Sequence, residues 1–269
     1  MNNYLKLNGY EIALYLIIFF IGGNLIGAIL GGVALFLNIN TYVVIPIATL
    51  LSYGLVYFSY SNFKKQSKKE IFKINYSLKN FKYFPLILII FIGQFFISEF
   101  ISSLIPTEGK IFGKLYQTMS YGLLGNFEKY PWITFFSICI LAPFLEEIFF
   151  RGFLLKGMLN NQVKPYKAII ISALLFGGIH FYPWQIVGGF FAGIVLGLSF
   201  YKTGSLLICT LLHFLNNFLG FLLFMKYHQL EMPTLGLNEY LTFFIGILIV
   251  IFFGYIYLKQ TKNYEWRSF

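Results

Sequence analysis

The chain has 269 residues, 58% of them hydrophobic and only 11% charged, where soluble chains average about 25% charged, and its mean hydropathy is +0.73. Such material cannot build a water-facing surface, so a soluble protein is excluded, and long apolar stretches without alternation exclude a transmembrane barrel. The formal net charge of +10 would suit nucleic acid, but the lysines collect in short loops between apolar stretches, as topology signals facing anionic lipid do, and nucleic acid is excluded as a partner.

Eight membrane spans are predicted in chain order. The first, 10–37, carries Gly23, Gly27 and Gly31 on one helical face, a stripe that permits close helix approach. Its length, and the lack of a small-residue cleavage site, argue against a cleavable signal peptide. The second span, 41–60, leads into a basic loop over 61–83, read as a cytoplasmic connection. The third, 84–105, holds Gln94 and Glu99; Glu99 is placed near the outer end, where an acid reaches water. The fourth, 131–155, holds Glu146, Glu147 and Arg151.

The fifth span, 167–182, ends at His180 and is short. It joins the sixth, 184–201, through "FYPWQ", so this pair is expected to tilt or partly re-enter. Gly189, Gly193 and Gly197 form a second small-residue stripe on the sixth. The seventh span, 204–225, holds His213, Asn216 and Asn217, and the eighth is 240–258. The expected fold is therefore an all-α polytopic bundle of about eight transmembrane helices. Cys139 and Cys209 lie within apolar stretches and read as small hydrophobes. With the N-terminus inside, only Lys110, Lys114, Lys129 and Lys226 face outward and fifteen basic residues face inward. Both termini are thus expected in the cytoplasm of a multi-pass cell-membrane protein.

All ten acids are glutamate, which removes an intramembrane aspartyl protease. No histidine is followed by glutamate, so the His-Glu-x-x-His zinc pattern is absent. The serine context "TGSLL" does not match a rhomboid-like serine protease. What remains is a set of polar groups inside apolar spans, where each charge costs at least ~2.5–3.5 kcal/mol. Glu147 and Arg151 are i and i+4, share a helix face and can pair. Glu146 is rotated by about 100° and points elsewhere. Phe176 and His180, and His213 and Asn217, have the same four-residue period. Pro143 and Gly177–Gly178 can loosen the backbone beside these groups.

Three motifs in order, "EEIFFR" (146–151), "FGGIH" (176–180) and "HFLNN" (213–217), resemble those of the CPBP family of intramembrane proteases, the CAAX proteases and bacteriocin-processing enzymes also called the Abi family. The resemblance covers roughly residues 130–225 and divides the chain into N-terminal spans with the basic loop (1–130), a catalytic core (131–225) and a C-terminal span with its tail (226–269). It implies an intramembrane endopeptidase with a conical catalytic cavity opening toward the cytoplasm. Glu146 and His180 would hold and activate the attacking water, His213 and Asn217 would stabilise the oxyanion, and Glu147 and Arg151 would order the site. The residues alone do not choose which histidine acts on water. Glu146, His180 and His213 could supply a zinc site with an open position; glutamate and histidine could equally activate water unaided. The metal-free form is favoured, since His-x-x-x-Asn fits an oxyanion hole without a metal.

The expected partners are the bilayer and a peptide or membrane-protein substrate. A composition rich in Lys, Ile, Phe and Asn suggests a low-GC bacterium, where prenylated substrates are not expected. A bacteriocin, its leader or a pheromone precursor fits better, with bacteriocin self-immunity as a physiological role. The rivals are a catalytically silent scaffold regulating another membrane enzyme and a proton-coupled transporter. One geometric tension stands: Glu146 counts to about 22 Å below the outer edge of its span and His180 to about 10 Å. Either these edges are misplaced or the fifth helix is displaced or broken.

Overall fold

The structure is a computed structural model that describes residues 5–39, 43–64, 76, 78, 80–227, 238–262 and 266. Every regular element among them is helical, as an apolar chain in a bilayer requires: lipid offers no partner to backbone N–H and C=O groups, and a helix satisfies them internally. The helices are α1 (Gly9–Phe36), α2 (Val44–Lys64), α3 (Phe84–Ser103), α4 (Lys114–Lys129), α5 (Pro131–Asn160), α6 (Pro165–Gly178), α7 (Pro183–Thr203), α8 (Leu206–Tyr227) and α9 (Glu239–Gln260). Seven of these stretches are long and apolar enough to cross a membrane, α4 and α6 being the exceptions. The predicted polytopic all-α bundle is the observed one. Most of the basic loop over 61–83 lies outside the described residues, and α4 arises where the sequence was read only as an outer connection.

The chain forms two compact units. One comprises Met1–Ile74, Asn126–Val163 and Ser268–Phe269; the other comprises Asn75–Gly125 and Lys164–Arg267. This division runs through the segment 131–225, which contributes α5 to the first unit and α6, α7 and most of α8 to the second.

In the first unit, α1 begins at an Asn8 cap. Its side chain accepts from Glu11 N–H at 2.9 Å, while Glu11 Oε2 accepts from Asn8 N–H at 2.9 Å, so two orphan donors are satisfied reciprocally. The extended residues before it are tied to the end of α5: Leu7 N–H donates to Gly157 O at 3.1 Å, and Asn160 Nδ2 donates to Leu5 O at 2.9 Å. An aromatic cluster joins the three helices. Phe153 of α5 lies 5.5 Å from Tyr15 of α1 and 5.1 Å from Tyr60 of α2, and Phe149 lies 5.4 Å from Phe19 and 5.6 Å from Tyr53. Of the first glycine stripe, only Gly23 meets a neighbour, Ser52; Gly27 and Gly31 face open space.

The second unit is built on close approaches. A Cβ at Gly193 would stand 2.9 Å from Ala173 Cα, and one at Gly177 would stand 2.6 Å from Ile186 O. The second glycine stripe is therefore a packing seam between α6 and α7. These pairs run antiparallel, so α6 lies beside the C-terminal two-thirds of α7. Its 14 residues reach about 21 Å, short of the ~30 Å hydrocarbon core. The chain then turns through Ile179–Tyr182, with Phe181 in the left-handed region at φ 61°, and α7 restarts beyond that level. The predicted fifth span is thus a truncated pass rather than a full crossing.

Two further contacts define the ends of this unit. At one end Asn80 donates to Thr203 O at 2.7 Å and Lys202 to Thr261 O at 3.2 Å, gathering the start of α3 with the ends of α7 and α9. At the other, Ser102 donates to Trp184 O at 3.3 Å and Trp184 Nε1 to Ile105 O at 3.3 Å. Lys82, Lys164, Lys167, Lys202, Lys259 and Lys262 belong to the first end; Lys110, Lys114 and Lys226 belong to the second.

The α3–α9 contact yields a paired prediction. A Cβ at Gly246 would stand 2.7 Å from Gly93 O, whereas one at Gly254 meets nothing within 4 Å. Gly246→Ala should lower the thermal midpoint in detergent, at an overpacking cost of about 1–3 kcal/mol. Gly254→Ala on the same helix should be neutral or slightly stabilising, since alanine favours the helix. Fluorescence-detected thermal unfolding of both variants checks the difference.

Candidate active site

In the first unit the motif glutamates sit on a short α-helical stretch, Ala142–Glu147, flanked by π-wound turns at Phe135–Leu141 and Ile148–Leu155. Pro143 has no N–H to give the carbonyl four residues back, and the preceding turn is wound wide rather than broken. Glu147 and Arg151 are both fully buried, and Arg151 Nη1 donates to Glu147 Oε1 at 2.8 Å. The predicted i, i+4 pair is therefore present. Glu146 is half-buried on a different face, and Tyr53 of α2 lies in the electrostatic field of both carboxylates, Glu146 the more strongly. With 30 residues, about 45 Å, α5 exceeds the ~30 Å hydrocarbon core, so it tilts or projects beyond the core and Pro131 is not a fixed reference for the depth of Glu146.

In the second unit, His180, His213 and Asn217 line one cavity of about 790 Å³. Phe176 explains why the motif begins with an aromatic residue. Its ring lies edge-on between the two imidazoles, 5.6 Å from His180 and 5.4 Å from His213. Its carbonyl oxygen is 3.0 Å from His180 Nδ1. A carbonyl can only accept, so in this contact Nδ1 is the donor. His213 is buried on α8, one helical turn from Asn217. Asn216 Nδ2 donates to Asn217 Oδ1 at 3.1 Å, which fixes the Asn217 amide with its N–H₂ as the donor end. Gly189 lets α7 pass here: a Cβ would stand 2.9 Å from Gly177 Cα and 3.5 Å from His180 Nδ1.

The same cavity recruits residues that carry no motif. Gln94, Ser98 and Glu99 of α3 line it, with Trp184 and Gln185 of α7 and Glu239 of α9. Glu99, near the end of α3, is exposed as expected, and the space it is exposed to includes the histidine cavity. A polar residue in an apolar span was the available signal, but nothing local says which helix it will meet.

The lining of this cavity runs from Pro106, Thr107 and Trp184 at the lysine-poor end to Leu196.

Among the described residues no group of three His, Cys, Asp or Glu side chains is assembled to hold a metal ion. Glu146 belongs to one unit and His180 and His213 to the other.

Comparison with known proteins agrees with the motifs. Residues 128–219 match the family model Rce1-like, described as type II CAAX prenyl endopeptidase Rce1-like. The matched stretch contains all three motifs and is consistent with the resemblance to CPBP-type proteases. No curated protein and no solved structure matches the chain.

The buried pair makes a stability prediction. Arg151→Met should leave Glu147 buried without its guanidinium partner, at a cost of about 3–5 kcal/mol. The double variant Glu147→Leu/Arg151→Met should recover most of that loss. Membrane accumulation and thermal midpoint of the single and double variants test the pair independently of any activity.

Proposed function

We propose that the chain is an intramembrane endopeptidase in which Glu146 and His180 activate water while His213 and Asn217 stabilise the oxyanion. The observation that carries this reading is the 3.0 Å contact of His180 Nδ1 with the Phe176 carbonyl, which leaves Nε2 for water beside a polar cavity that also holds His213 and Asn217.

Water, polarised by Glu146 and His180 Nε2, adds to the scissile carbonyl carbon and loses a proton to them. The carbonyl oxygen becomes an oxyanion that accepts hydrogen bonds from His213 and from the Asn217 amide. Such preorganised donors act strongly in a site that excludes bulk solvent. The stored proton then passes to the amide nitrogen, the C–N bond breaks, and a carboxylate and an amine leave. Glu147 and Arg151 neutralise each other and hold the α5 turn that carries Glu146.

Orientation bears on the substrate. With both termini and the lysine-rich end in the cytoplasm, a cavity reaching the lysine-poor end serves the outer half of the membrane. That favours a small secreted peptide, namely a bacteriocin, its leader or a pheromone precursor, with bacteriocin self-immunity as a role.

Glu146→Ala and His180→Ala should each abolish cleavage while the protein still accumulates in the membrane. Asn217→Ala should slow it by about 10²–10³. Mass spectrometry of secreted and membrane peptides from cells carrying each variant provides the readout. Unchanged cleavage by Glu146→Ala would refute the assignment, and a phenotype indifferent to Glu146→Gln would point to a silent scaffold.

A further inference from the structure

The α3 wall of the cavity has no part in the motif chemistry, yet it is polar. Gln94 is 4% exposed and lines the cavity, and its Oε1 has no hydrogen-bond partner. A buried amide acting only as glue between helices would have one. Ser98, one turn on, turns back to donate to Phe95 O at 2.9 Å. Glu99 follows on the cavity lining and forms no hydrogen bond or ion pair among the described residues. Glu99 is exposed to that space, so its carboxylate is accessible to a ligand entering the cavity. Glu239 also lines the cavity. Its helix start is already capped by Asn238, whose side chain accepts from Tyr240 and Leu241 N–H, so its carboxylate is not needed as the cap.

The charge balance of the lining is opposite to that of the chain. The protein carries +10, yet the described residues lining this cavity include Glu99 and Glu239 and no lysine or arginine. A cleft lined by one sign of charge concentrates ligands of the other. Resting on the endopeptidase reading, we propose that Glu99 receives a lysine or arginine side chain of the substrate, with Gln94 Oε1 accepting a backbone N–H of the same peptide, so that the enzyme selects cationic peptides. A cation seated there also holds the Glu99 carboxylate in its charged form.

The test is a binding titration of the full-length Glu146→Gln protein in phosphatidylcholine nanodiscs, where hydrolysis does not intervene and the lipid carries no net charge. The probes are three dye-labelled apolar peptides identical except for one central residue: lysine, norleucine or glutamate. The lysine peptide should bind roughly five- to tenfold tighter than the norleucine peptide, and the glutamate peptide weakest, as expected for one partly screened ion pair. Adding Glu99→Gln should remove the lysine preference while norleucine-peptide affinity, the control for folding, stays put; adding Glu99→Lys should reverse it. Gln94→Leu should weaken all three peptides alike. Equal affinities at the start, or a lysine preference that survives Glu99→Gln, would overturn the proposal. The Glu146-intact protein is then assayed for cleavage of the same peptides. Preference without cleavage would sink the endopeptidase reading and leave the cationic site standing.

Discussion

A polar group inside hydrocarbon survives either by finding a partner or by facing enclosed water, and this protein uses both solutions in separate places. In one unit Glu147 and Arg151 neutralise each other at 2.8 Å with no exposed surface. In the other, His180, Asn217, Gln94 and Glu99 turn to a cavity of about 790 Å³. The first arrangement satisfies its charges within one helix turn. The second keeps polar groups beside an open space. Glu146 differs from its neighbour Glu147 because a 100° rotation takes it off the face where the arginine lies.

Aromatic and glycine residues divide the remaining work. Phe149 and Phe153 pack against Tyr53, Tyr60 and Tyr15, joining α5 to α1 and α2. Phe176 acts differently: its ring separates two imidazoles and its carbonyl accepts from one of them. Gly177, Gly189 and Gly193 allow α6 and α7 to approach until backbone meets backbone. Without that approach His180 would stand farther from the α7 wall of its cavity. Phe181, bulky yet at φ 61°, shows backbone strain immediately after His180, where the chain must reverse to begin α7.

Much of this was legible in one dimension. Hydropathy and length define an all-helical membrane protein, and the 3.6-residue period places Glu147 with Arg151, Phe176 with His180 and His213 with Asn217. Those are local facts, settled within a single turn of one helix. The truncated α6 was only half legible: its shortness could be read, but its end at Gly178 depends on where the close packing against α7 stops.

What tertiary structure alone decided is which faces meet. Gln94 and Glu99 lie some eighty residues from His180 in the chain and join its cavity because α3 runs antiparallel to α7, pinned through Asn80 to Thr203 at one end and Ser102 to Trp184 at the other. The end of the unit to which the cavity opens is likewise a property of three-dimensional packing. Helix periodicity determines the direction in which a side chain leaves its own axis. It carries no record of the neighbour on that side, because that neighbour is selected by the fit of small and large residues contributed from distant segments.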